Sequence, residues 1–123
     1  MTVTNTAAAQ SLLEMIAADE ESVLRIGALA RQFLAQHADL PLTGVRLKYD
    51  GEIHLEAPTT EDVSAWAVRL GAQAAEKTED PGYGVFQHTS ARTTVDDALV
   101  HIWHCRILSD AEATAWRENG GRS

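Results

Sequence analysis

The chain has 123 residues, 45% hydrophobic and 23% charged, an ordinary globular balance that suits one domain with one core. Its 18 acidic against 10 basic side chains give a net charge of -8, which opposes attraction to phosphate backbones and anionic membranes, so nucleic acid is disfavoured as a partner. No apolar run approaches the roughly 20 residues that a bilayer crossing needs. One cysteine cannot close an internal disulfide, and Met1 to Ala9 lacks the basic-then-apolar pattern of a signal peptide, so the expected compartment is the cytoplasm.

From Ala7 to His37 there is no proline and one glycine. Leu12, Ile16, Val23, Ile26, Ala30, Phe33, Leu34 and His37 recur at helical spacing. The acidic "ADEES" interrupts this stripe, and Asp19 is suited to cap a new helix, so the reading favours two helices broken near Asp19 over one long one. Pro41 in "LPLTG" marks the end of the region. The period then changes to two. "VRLKYDGEIHLEA" places Val45, Leu47, Tyr49, Ile53 and Leu55 on one side of a hairpin turning at Asp50-Gly51, with Arg46, Lys48, His54 and Glu56 on the other.

"PTTEDVSAWAVRLGAQAAEK" reads as a helix capped by Thr59 or Thr60, its stripe of Val63, Trp66, Ala67, Leu70 and Ala74 lying on that hairpin. "TEDPGYG" reads as a loop. "VFQHTSARTTV" and "ALVHIWHCRIL" then flank Asp96-Asp97 as a second hairpin, although the glycine that favours a tight turn is absent. A capping box from Ser109 to Glu112 opens a short last helix that ends near Asn119-Gly120-Gly121. The expectation is therefore a single α+β domain over residues 1–118, with a flexible C-terminal tail over 119–123. An N-terminal helical region is followed by two antiparallel β-hairpins separated by a helix (β-β-α-β-β) and a short C-terminal helix, the helices covering one face of four antiparallel strands.

The residues with chemistry gather in "VHIWHCRIL". As a strand it points His101, Trp103, Cys105 and Ile107 to one face and Val100, Ile102, His104, Arg106 and Leu108 to the other. A two-residue turn at Asp96-Asp97 sets His88 opposite Cys105 and Arg92 opposite His101. Zinc accepts cysteine and histidine in a tetrahedral set, with His54, a carboxylate or water as a fourth ligand, but no CxxC or HxxxH spacing supports it. A mid-strand cysteine lacks the cationic, open surroundings of a nucleophile and behaves as a small hydrophobe, with Trp103 and Ile107 packing beside it. The acid pairs Glu20-Glu21, Glu61-Asp62 and Asp96-Asp97 fall where turns and helix starts favour acids, and "GYG" lacks the lysine and helix of a phosphate loop.

No catalytic residue and no cofactor follow from this pattern. Leu13, Met15, Leu24 and Leu29 lie off the main stripe, so the first helix is apolar over more than one face. A second copy or another protein would cover the excess, with Leu13, Leu24, Leu29 and Trp116 as the contact residues. The leading expectation is thus a non-enzymatic interaction or regulatory module that acts through protein contacts as a homodimer. The alternative is a small-ligand or metal-binding protein, possibly an enzyme, that uses His88, Arg92, His101 and Cys105. A third is an acidic mimic of nucleic acid, which requires clustered acids where this chain spreads them.

Overall fold

The computed structural model describes residues 6–48 and 50–121. Its element order is α1 (Thr6–Gln36), β1 (Gly44–Lys48), β2 (Glu52–Glu56), α2 (Thr60–Leu70), β3 (Ala75–Glu79), β4 (Phe86–Val95), β5 (Ala98–Ile107) and α3 (Asp110–Glu118). The architecture is α+β, and the order of hairpin, helix, hairpin stands. Of the tail expected over 119–123, residues 122 and 123 lie outside the described residues, as do residues 1–5 and Tyr49.

The strands form one five-stranded sheet in the order β1-β2-β5-β4-β3. Every neighbouring pair is antiparallel except β2 and β5, which run parallel. The expected four antiparallel strands therefore gain β3, and the two hairpins meet through a parallel pair. Each hairpin is a local event encoded by its turn. How their edges meet depends on the crossover through α2, for which no short stretch of sequence carries a signal.

α1 runs unbroken through Asp19, which corrects the expected break. An exposed aspartate in a helix interior costs less than 1 kcal/mol, whereas a second helix needs its own costly nucleus. Glu21 also sits one turn before Arg25, the favourable order for such a pair. In α2 the reverse happens. The hydroxyl of Thr59 accepts the backbone N–H of Asp62, and Gly71, at φ 68°, closes the helix, leaving Ala75–Glu79 free to extend as β3. Ala74 thus falls outside the helix it was expected to join.

The first turn also differs in detail. Pairing of Lys48 with Glu52 leaves three positions, 49–51, in the connection rather than two, with Gly51 at φ 91°. A three-residue hairpin loop with glycine in a left-handed conformation is the next most common solution after the two-residue turn.

The core lies between one face of the sheet and two helices. Ile26, Ala30 and Phe33 of α1, Val63, Trp66 and Ala67 of α2, and Ile53, Leu55, Ala91, Val100 and Ile102 of the sheet form one buried cluster. α1 contacts β1 and β2, while α2 contacts β4 and β5, so the α2 stripe packs chiefly on the second hairpin rather than on the first. Trp66 is the largest fully buried side chain; its indole N–H donates to the carbonyl of Pro41 at 3.1 Å and its rings stack on Phe33 at 5.6 Å. That contact fixes the α1–β1 connection over the top of α2.

Candidate functional site

With α1 and α2 packed on one side, the other side of the sheet is left open. A concavity of about 1190 Å³ opens there, lined by residues of all five strands. The alternation of the strands decides which side chains enter it. Their register sorts them into rows that cross the sheet.

One row is Arg46, His54, His101 and Arg92, paired in turn from β1 to β2, β5 and β4. The next is Gly44, Glu56, Trp103, Ser90 and Ala75, in which the tryptophan stands between a carboxylate and the small residues of β4 and β3. Beyond it, Cys105 pairs with His88, and His88 with Lys77. His88 is thus opposite Cys105 and Arg92 opposite His101, as the turn at Asp96-Asp97 requires. Both aspartates adopt positive φ, 48° and 68°, in place of the missing glycine.

Two contacts organise the imidazoles. Nδ1 of His101 lies 3.3 Å from Nδ1 of His54, and Nε2 of His54 lies 3.1 Å from Oε1 of Glu52. A neutral imidazole has one donor and one acceptor nitrogen, so one ring must carry the proton between them. With both rings fully protonated, two N–H groups would oppose each other across this contact. Burial, Arg92 and His54 hold His101 below the ordinary histidine range. Its neutral ring faces the concavity as a base or hydrogen-bond donor.

A third contact, Cys105 Sγ to His88 Nε2, is 3.8 Å. Burial, then the charge of Glu79, push the thiol above its usual range, which disfavours the thiolate a nucleophile needs. Trp103 stands between this pair and His101, and residues four apart on a strand are separated by about 13 Å. His88, His101 and Cys105 therefore share a face without converging on a point. Among the described residues no three His, Cys, Asp or Glu side chains come together in a way that could hold a metal ion.

Trp103 is half-buried and lines the concavity, whereas Ile107, expected to pack beside Cys105, is exposed; the fully buried residues of β5 are those of the opposite face. Arg46, Lys48 and His54, expected to face away from the core, complete the site that the second hairpin begins.

The contact residues expected on the helices divide. Leu13 and Leu24 are exposed, at 63% and 74%, while Leu29 packs against the chain's own core. Trp116 is half-buried in α3, with Gly121 against its ring and its indole N–H without a partner among the described residues. Every residue of α1 from Thr6 to Glu21 is exposed. Leu12, Ile16, Asp19, Val23, Ile26, Ala30 and Phe33 follow at alternating four- and three-residue steps along one stripe. The sheet covers only its last three members, while Leu12 and Ile16 stay 60% and 54% exposed. Sequence periodicity revealed the stripe but not where the sheet stops.

No helix among the described residues is long and apolar enough to cross a membrane. Comparison with protein-family models, with known proteins and with solved structures finds no match, so the geometry alone carries the functional reading.

Proposed function

We propose that the chain is a non-enzymatic interaction module whose projecting N-terminal helix pairs with a second copy of itself. The observation that supports this is the stripe shared by the two halves of α1, buried from Ile26 to Phe33 and open from Leu12 to Val23. Full burial of Leu12, Met15 or Ile16 would contribute about 1.5–3 kcal/mol each, ample for association once several are covered together. Without cover, about 24 Å of apolar helix would stand in water, where a segment of that length is marginal on its own.

Charge favours an antiparallel arrangement. The open segment carries Glu14, Asp19, Glu20 and Glu21 against Arg25, so a parallel pair would set like charges side by side. Antiparallel pairing allows Glu14 of one copy to meet Arg25 of the other, a register that also sets Ile16 against Val23 and leaves Asp19 against Glu20 as its like-charge contact, offset by the two Glu14–Arg25 pairs. A lone cysteine with no disulfide partner fits a role in the reducing cytoplasm.

Light scattering over a concentration series tests the proposal. The wild-type chain is expected to run as a dimer, and Ile16→Glu or Leu13→Glu as folded monomers. A wild-type chain that remains monomeric at high concentration would remove self-pairing.

A further inference from the structure

Three of the cations on the open face form no ion pair with a described residue. Arg69, Arg106 and Arg117 are each bound to a carboxylate, and Lys77 to Glu79. Arg46, Lys48 and Arg92 have no carboxylate within ion-pair distance among the described residues, although the chain holds 18 acidic side chains. The carboxylates nearest in register are otherwise engaged: Glu52, opposite Lys48, holds His54 at 3.1 Å and is lowered by its hydrogen bonds with Asp50 and His54 and in part by the charge of Lys48, and Glu56 takes the hydroxyl of Thr43 at 3.2 Å. A strongly acidic protein thus keeps two arginines, Arg46 and Arg92, without an ion pair among the described residues over a hollow.

The row arrangement gives the hollow two chemically different parts. Arg46 and Arg92 flank the His54–His101 pair, three strand spacings apart, or about 14 Å between backbones, so both long side chains can lean toward one group. One step along β5, about 7 Å away, Trp103 stands between Glu56 of β2 and Ser90 of β4, with Ala75 beyond the serine, so that the small side chains leave the ring open to a ligand on its β4 side, away from the carboxylate.

We propose that this face binds a small organic anion, its planar ring on Trp103 and its phosphate or carboxylate group between Arg46 and Arg92. The arginines supply charge-assisted hydrogen bonds, bidentate where the anion is a phosphate or carboxylate. His101 adds an N–H or takes up a proton when the anion arrives. The tryptophan supplies a flat, apolar surface whose area stays fixed on binding. The concavity is large enough for a ligand of nucleotide size.

The site is independent of α1, so its failure would leave the pairing of the helix untouched. The test titrates the full-length chain with adenosine 5′-monophosphate and with 1-naphthylacetate, followed by calorimetry and tryptophan fluorescence. Adenosine and inorganic phosphate serve as half-ligands. Saturable one-to-one binding of at least one anionic ring compound is expected, roughly tenfold tighter than either half-ligand. The tighter probe identifies a phosphate or a carboxylate as the preferred group.

Arg92→Gln and Arg46→Gln should each weaken binding by roughly tenfold. Trp103→Ala should do the same while Trp103→Phe retains most of the affinity, and Arg31→Gln on α1 should change nothing. Leu13→Glu should bind as the wild type does. Absence of saturable binding by both probes, or binding that survives Arg46→Gln, Arg92→Gln and Trp103→Ala unchanged, overturns the proposal.

Discussion

His54 and His101 sit side by side on the parallel strands β2 and β5, their rings 5.0 Å apart and tilted edge to face. The parallel junction of the two hairpins is what brings them together. In an all-antiparallel union of other edges, Arg46 and His54 would not share a row with His101 and Arg92. The open face therefore depends on the topology as much as on its side chains.

That pairing predicts a loss of stability on mild acidification. His101 is held below its ordinary value of 6.5 by burial, Arg92 and His54, with Lys48 adding to the effect and Glu52 opposing it. A lowered value means that the unfolded chain takes the proton first as pH falls through about 6.5, so the contribution is complete above that point and declines below it. Urea unfolding at about pH 7.5 and about pH 5.5 should show a larger drop for the wild type than for His101→Gln. Equal drops would show that the ring carries no such linkage.

The second hairpin predicts a gain. Asp96 and Asp97 both occupy the left-handed region that a tight hairpin turn demands and that glycine enters without steric cost. Asp97→Gly should raise stability by about 0.5 kcal/mol, the relief of strain and of like-charge repulsion outweighing the added freedom of the unfolded chain. Asp97→Val should lose more than about 1 kcal/mol, because a β-branched residue resists this conformation. Chemical denaturation of the two variants measures both effects, and a stabilised Asp97→Val would contradict the turn geometry.

How much of this was legible in the sequence follows from the range of each signal. The alternation in "VHIWHCRIL" placed His101, Trp103 and Cys105 on one face, and the pairing across Asp96-Asp97 held to the residue, because both are set by neighbours in the chain. β3 escaped notice because "AEKTE" is made chiefly of helix formers; it is an edge strand that extends only because β4 lies beside it. The concavity was legible only in halves. Arg46 and His54 read as solvent-facing on one hairpin and Arg92 and His101 as a candidate site on another, and nothing local says that β2 and β5 adjoin. The missing break at Asp19 has the same cause in reverse, a capping residue overruled by continuous helix on both sides.

A third prediction concerns the C-terminal helix. Arg106 donates to both carboxylate oxygens of Glu112, which also caps α3 by accepting the backbone N–H of Ser109. These bonds, that of Arg106 first, hold the Glu112 carboxyl at about 2, below its ordinary value of 4.5. A depressed carboxyl contributes stability above the unfolded value and loses it as pH falls through the folded one, so the tie between α3 and β5 should weaken between 4.5 and about 2. Carbon-detected NMR titration of Glu112 should give a midpoint near the lower figure, and Arg106→Gln should move it back toward the upper one. A midpoint that does not respond to Arg106→Gln would assign the shift to the cap alone.

The last prediction bears on how two copies would meet along α1. In the antiparallel register that seats Ile16 against Val23, each end of the interface joins Glu14 of one copy to Arg25 of the other. Two such exposed pairs are worth about 0.3–0.5 kcal/mol each, and reversing one charge replaces attraction with repulsion of similar size. Arg25→Glu should therefore weaken dimerisation by roughly tenfold, and adding Glu14→Arg should restore it by exchanging the partners of both pairs. A parallel pair behaves differently, since Glu14 would face Glu14 and Arg25 would face Arg25; there the double variant restores nothing by exchange. Analytical ultracentrifugation of the wild type, both single variants and the double variant at low salt, where exposed pairs are least screened, separates the two arrangements. Restored association in the double variant alone supports the antiparallel helix pair, and a double variant as weak as Arg25→Glu excludes it.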